Sequence, residues 1–130
     1  PDDAGLGAAI ADAAPGRAVN AAGALSLRES AALIERAAVL VTNDSAPLHL
    51  ATGVGTPVVA LFGPTIPAFG FGPLGADDAI VEHRAMSCRP CSAHGPQVCP
   101  LGHHRCMKEL GPELVAREVQ RILLHRGARR

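Results

Sequence analysis

Two short runs of apolar residues, 39–41 and 57–62, bracket a polar loop and a helical stretch, and the rest of the chain is arranged around them. Runs that are apolar on both faces predict buried parallel strands. Between them stand Thr42-Asn43-Asp44-Ser45, two of which are good N-cap residues, and then Pro47, which suits a first helical turn. The helix so opened is predicted to run to Val54 and stop near Gly55. Gly63-Pro64 closes the second strand. The unit is a βαβ crossover, and ligands of such sheets sit at the carboxyl ends of the strands. Two polar loops lie there, Asn43-Asp44-Ser45 and Gly63-Pro64-Thr65.

The flanking pattern is helical. An alanine-rich stretch, 8–14, predicts a weak helix ended by Pro15-Gly16; Ala18-Val19-Asn20 reads as a short strand. Ser26-Leu27-Arg28-Glu29 has the form of a capping box, and the helix it opens sets Leu27, Ala31, Ile34 and Ala38 near one face. Residues 66–78, rich in Pro and Gly, form a long loop. Its Phe69 and Phe71 line the cleft or, on the simpler reading, anchor the loop to the core. Residues 79–82 predict a third strand. Pro112 opens a last helix with an apolar stripe of Leu114, Val115, Val119, Ile122 and Leu123, which Gly127 is placed to end. The basic ending His125-Arg126-Gly127-Ala128-Arg129-Arg130 is a solvated tail or a peripheral contact with an anionic membrane surface. The fold class is therefore α/β: a partial Rossmann-like parallel sheet with flanking helices, in one domain spanning residues 1–130.

Composition narrows the picture. The 130 residues are 48% apolar but hold no Trp or Tyr and three Phe, so Ala, Val, Leu and Ile must build the core. Twelve basic and twelve acidic residues cancel, which argues against a nucleic-acid partner. No apolar run approaches a membrane span. The acidic beginning does not read as a signal peptide, and the absence of an initial Met suggests a fragment.

The chemistry sits in two places. At the start of the central helix, backbone N–H groups and the Ser45 hydroxyl can hold a phosphate, with His49 one turn on. Asp44 would repel phosphate, so it caps the helix, meets a sugar hydroxyl or orients His49. Composition alone favours the plainer alternative, an N-cap and a half-buried helix histidine. The second place is a cysteine-rich segment, 84–110, with Cys88, Cys91, Cys99 and Cys106 spaced C-x2-C-x7-C-x6-C. His94, His103 and His104 lie in the same span. Three readings stay open: reduced thiols, a structural zinc, or disulfides, the last disfavoured without a secretory signal.

Leu27-Arg28-Glu29, then residues 41–51 (VTNDSAPLHLA) and 55–65 (GTPVVALFGPT), and the cysteine-rich segment together resemble glycosyltransferase family 9, the ADP-heptose:lipopolysaccharide heptosyltransferases. The resemblance implies a GT-B fold, with this chain as much of the C-terminal, donor-binding domain. It implies transfer of heptose from ADP-heptose to the lipopolysaccharide inner core with inversion, in the cytoplasm or at the inner face of the inner membrane, with no metal in the reaction. Carried over by motif, Asp44 would contact the donor sugar, Ser45 and the Ala46 N–H would hold phosphate oxygens, and His49 would stabilise the diphosphate. Thr65, in the second loop, belongs to the same donor site. The base belongs to an N-terminal domain outside this chain, so the chain alone is expected to be inactive. One departure stands out: the family usually has glycine where this chain has Ala46, a strained substitution if φ there is positive. Alternatives are a non-catalytic nucleotide-binding module, a zinc-stabilised structural domain, and a GT-B enzyme using another nucleotide sugar.

Overall fold

The computed structural model describes residues 3–128. The chain divides into two compact units, Pro1–Leu33 and Ile34–Arg130. The first holds helix α1 (Ala4–Ala13) and most of α2 (Leu27–Arg36). The capping box forms as expected: the Ser26 N–H donates to Glu29 Oε2 at 2.8 Å and the Glu29 N–H to Ser26 Oγ at 3.4 Å. Two expectations fail in this unit. Residues 18–20 are not a strand: Val19 is 93% exposed and has nothing to pack on. Asn20 instead makes a local turn, accepting from the Ala22 N–H, and donates to the Ala4 carbonyl. It comes so close to Gly7 that a Cβ there would lie 2.3 Å from Asn20 Oδ1. The expected α2 face also shrinks to Ile34; Leu27 is exposed, and Ala38 lies beyond the helix.

The second unit is a three-layer α/β sandwich. Strands β1 (Leu40–Asn43), β2 (Val58–Phe62) and β3 (Ala79–Glu82) are all parallel, in the order β1-β2-β3. Leu40 pairs with Val58 and Phe62 with Glu82. Because side chains alternate along a strand, the continuous apolar run of β2 serves both faces. Val58, Ala60 and Phe62 pack with Leu48 and Ala51 of α3 (Ala46–Val54) and with Ile34. Val59 points the other way, to Ala79, Val81 and Ile122 of α5 (Pro112–Gly127), with Val115 and Val119 beside them. Leu48, Phe62 and Ile122 are fully buried. Burial contributes about 1.5–3 kcal/mol for each such side chain.

Both ends of α3 follow the sequence. Ser45 is the extended N-cap residue, and Gly55 ends the helix in the left-handed region with φ 74°. The 66–78 loop holds only a 3₁₀ turn, Pro67–Phe69. In the cysteine-rich segment, α4 (Arg105–Lys108) is a single turn. Gly127 does not end α5 but belongs to it, with Ala128 at the cap. Arg126 reaches back to the Ala38 carbonyl, so the described part of the basic ending is tied down; Arg129 and Arg130 lie outside the described residues. Among the described residues, no helix is long and apolar enough to cross a membrane.

Candidate functional site

The two loops predicted to lie at the carboxyl ends of β1 and β2 do lie together. The Asp44 N–H donates to the Leu61 carbonyl at 3.1 Å, extending the strand pairing by one residue. The chain then turns at Ser45 into α3. Ser45 makes no side-chain cap: its hydroxyl donates to the Asn43 carbonyl at 3.2 Å and lies 3.4 Å from Thr42 Oγ1. Pro47 has no N–H and the Leu48 N–H donates to the Ser45 carbonyl at 3.0 Å, which leaves the Ala46 N–H, without a side-chain cap, to suit an anion. Asp44 is not the cap either. Its Oδ2 accepts a 2.7 Å hydrogen bond from the Thr65 hydroxyl, across the two loops. Thr65 is buried and Asp44 half-buried. Ala46 is not strained, since among the described residues the one non-glycine with positive φ is His104.

His49 is exposed, not half-buried. Its neighbour Leu48 occupies the core, and one helical step of about 100° turns His49 outward. There it meets Phe71 edge-on, with ring centroids 6.4 Å apart. Phe71 also lies 6.2 Å from His94 of the cysteine-rich segment. Phe71 is 40% exposed and stands between these two histidines. A cavity of about 170 Å³ opens between Asp44, Thr65, His94 and Met107. A larger hollow of about 340 Å³, beside Gly55 and Asp78, lies at the opposite, amino end of β2, away from where such sheets bind ligands.

The cysteine-rich segment builds the back of this site. The Arg89 guanidinium, 4% exposed, donates to the carbonyls of Phe62, Gly63 and Thr65, to that of His83, and to the Glu82 carboxylate at 3.0 Å. The Cys91 N–H donates to the Pro64 carbonyl at 2.8 Å. Residues 89 and 91 therefore take all four carbonyls of residues 62–65. Gly95 presses on the same turn: with φ 73°, its missing Cβ would lie 3.0 Å from Pro64 Cγ.

All four cysteines are free thiols. Main-chain N–H groups, His104's foremost, aim at the Cys99 sulfur and hold its pKa below the ordinary thiol value. Burial pushes the Cys91 thiol up, and the charges of Cys88, Cys106 and Cys99 nearby add to this. Among the described residues, no group of three or more His, Cys, Asp or Glu side chains is arranged to hold a metal ion. The expected zinc set of Cys88, Cys91, Cys99 and Cys106 is therefore not preassembled.

Comparison with known proteins decides the family. The model of glycosyltransferase family 9 (heptosyltransferase) matches residues 2–100, which include both loops of the site. The chain belongs to glycosyltransferase family 9. Relatives in the family include lipooligosaccharide heptosyltransferase 2 of Campylobacter jejuni, 38% identical over 84 residues, 65% of this chain and 25% of that protein. The same-named enzyme of Haemophilus influenzae is 31% identical over 81% of this chain and 29% of its own length. Lipopolysaccharide heptosyltransferase 2 of Escherichia coli K12 is 30% identical over 84% of this chain and 30% of its own length. The chain thus spans under a third of the length of these relatives. No solved structure matches it significantly.

Within this family 9 chain, Asp44, Ser45, Ala46, His49 and Thr65 all gather at the carboxyl edge of the sheet. The four thiols do not join them as a metal centre. Sequence reasoning missed Arg89, and treated His94 only as a spare metal ligand. The one available signal was an arginine between two cysteines, and its partners in the 62–65 turn are 24 to 27 residues away.

Proposed function

We propose that this chain is the donor-binding part of a heptosyltransferase-like enzyme that transfers heptose from ADP-heptose, with inversion, to the inner core of lipopolysaccharide. The observation that carries the reading is the Asp44–Thr65 hydrogen bond beside the uncapped start of α3. It fixes one oxygen of Asp44 and turns the carboxylate from helix cap into a group available to a sugar. The Ala46 N–H and the Ser45 hydroxyl, which exchanges its weak main-chain bond for a phosphate oxygen, hold the diphosphate. His49 faces solvent on the same side and stabilises the charge that grows on the diphosphate as the glycosidic bond breaks. The Ala46 methyl adds no backbone strain. Phe71 and His94 supply the wall facing His49.

On this reading the base that activates the acceptor hydroxyl is supplied outside these 130 residues, and the chain alone does not turn over. No metal takes part in transfer. The acceptor is bound elsewhere in the enzyme, at the cytoplasmic face of the inner membrane with at most peripheral contact.

The test is an amide NMR titration of the chain with ADP, GDP and UDP, repeated on Asp44→Ala and His49→Ala. ADP is expected to shift the Ser45, Ala46 and His49 amides, His49→Ala to weaken binding, and Asp44→Ala, whose proposed partner is the absent sugar, to leave ADP bound. Preference for GDP or UDP would make this a family 9 enzyme with another donor. A well-dispersed spectrum unmoved by any nucleotide would overturn the reading.

A further inference from the structure

We infer that Arg89 is a positioning residue of the donor site, setting Thr65 against Asp44 through the carbonyls of the 62–65 turn. The inference rests on the donor-site reading above.

After Phe62 the chain leaves the sheet, because β3 ends opposite it at Glu82. Gly63 and Thr65 are nevertheless buried, and buried carbonyls require donors. No strand supplies them. Arg89 does, with a planar fork of five N–H groups that spans acceptors a point charge cannot reach together. Its Nη2 lies 3.0 Å from the Phe62 carbonyl and 2.8 Å from that of Thr65. Thr65 is gripped from two sides: its carbonyl by Arg89, while its hydroxyl donates to Asp44 Oδ2 at 2.7 Å. The link runs Arg89, Thr65, Asp44, from the cysteine-rich segment to the donor loop. Glu82, 13% exposed, balances the Arg89 charge. A buried ion pair is a poor device for stability alone, since desolvation offsets its attraction. Holding one conformation of a turn is a task it does perform.

The test is steady-state kinetics with ADP-heptose on the protein at its natural length. Arg89→Lys keeps the charge and the Glu82 partner but loses the fork. The expected result is a donor KM raised roughly tenfold with kcat within about threefold, because ground-state donor binding is what the link supports. Thr65→Val should raise the donor KM similarly. The double variant should be no worse than the worse single, since both break one link. If Arg89→Lys does not fold, Glu82→Gln, which removes the countercharge anchoring Nη2 beside the Phe62 and Thr65 carbonyls, replaces it in the same cycle with the same expectation. A folded variant with unchanged donor KM, or one whose effect adds fully to that of Thr65→Val, overturns the inference. Asp44→Ala separates the two claims. If it raises the donor KM while the Arg89 and Glu82 variants do not, the inference alone fails. If it leaves the donor KM unchanged, the donor-site reading fails and takes the inference with it.

Discussion

Thr65 donates its hydroxyl to Asp44 Oδ2 at 2.7 Å, joining two loops that lie 21 residues apart in the chain. Thr65→Val keeps the shape and deletes the donor. Buried at 5% exposure, Thr65 should cost about 1–2 kcal/mol of stability on this change, because the Asp44 carboxylate loses a partner. ADP-heptose affinity, measured by calorimetry, should fall roughly tenfold. Thr65→Ser, which retains the hydroxyl, should restore most of it. Equal ADP-heptose affinity in both variants would count against the role of the hydrogen bond.

Two glycines should respond oppositely to alanine. Gly95 has φ 73° and sits against Pro64, so Gly95→Ala should destabilise by about 1–2 kcal/mol. Gly53 lies inside α3, where a Cβ would meet nothing within 4 Å. Gly53→Ala should therefore stabilise by about 0.5–1 kcal/mol. Urea denaturation of both variants reads the two signs directly.

The thiols should differ in reactivity. Main-chain N–H groups lower the pKa of Cys99 and burial raises that of Cys91. Near neutral pH, Cys99 carries the larger thiolate fraction and should be alkylated by iodoacetamide well before Cys91, with the gap closing as alkaline pH ionises both thiols. Peptide mapping by mass spectrometry gives the order. In the same preparation, metal analysis should find less than one zinc per chain; one full equivalent that protects all four thiols would replace the free-thiol reading.

The capping box should make the start of α2 sensitive to acid. Hydrogen bonds from the Ser26 hydroxyl and N–H lower the Glu29 pKa below 4.5. The stabilisation is therefore complete above that ordinary value and is lost as pH falls through the lowered one. Amide shifts of residues 27–30 should report fraying in that window and none above it. Ser26→Ala, which keeps the N–H bond and loses the hydroxyl one, should reduce the pH dependence.

Much of the fold is legible in local patterns. The bounds of α3 follow from Ser45, Pro47 and Gly55, each acting on its own backbone. The strand at 79–82 and the helix opened at Pro112 stand where their patterns put them. Misreadings arose where a pattern needed a partner it does not have. Val19 has strand propensity but no neighbouring strand, and Leu27 has helical spacing but no surface to cover. The site divides in the same way. His49 and Ser45 could be placed by their positions on one helix start. The destination of the Asp44 carboxylate could not, because a carboxylate next to an N-cap has two local uses and one distant one.

The sequence by itself determined the βαβ crossover, the helix start at the carboxyl edge of the sheet, and the family. These rest on short-range effects: strand and helix periodicity, caps, and the conformational limits of glycine and proline. Tertiary structure alone decided that Phe71 stands against His49, that Thr65 holds Asp44, and that Arg89 takes the carbonyls of the 62–65 turn. Those contacts join residues 21 to 27 positions apart. Their geometry depends on how the sheet ends and which carbonyls its last strand leaves unpaired, which no local pattern encodes.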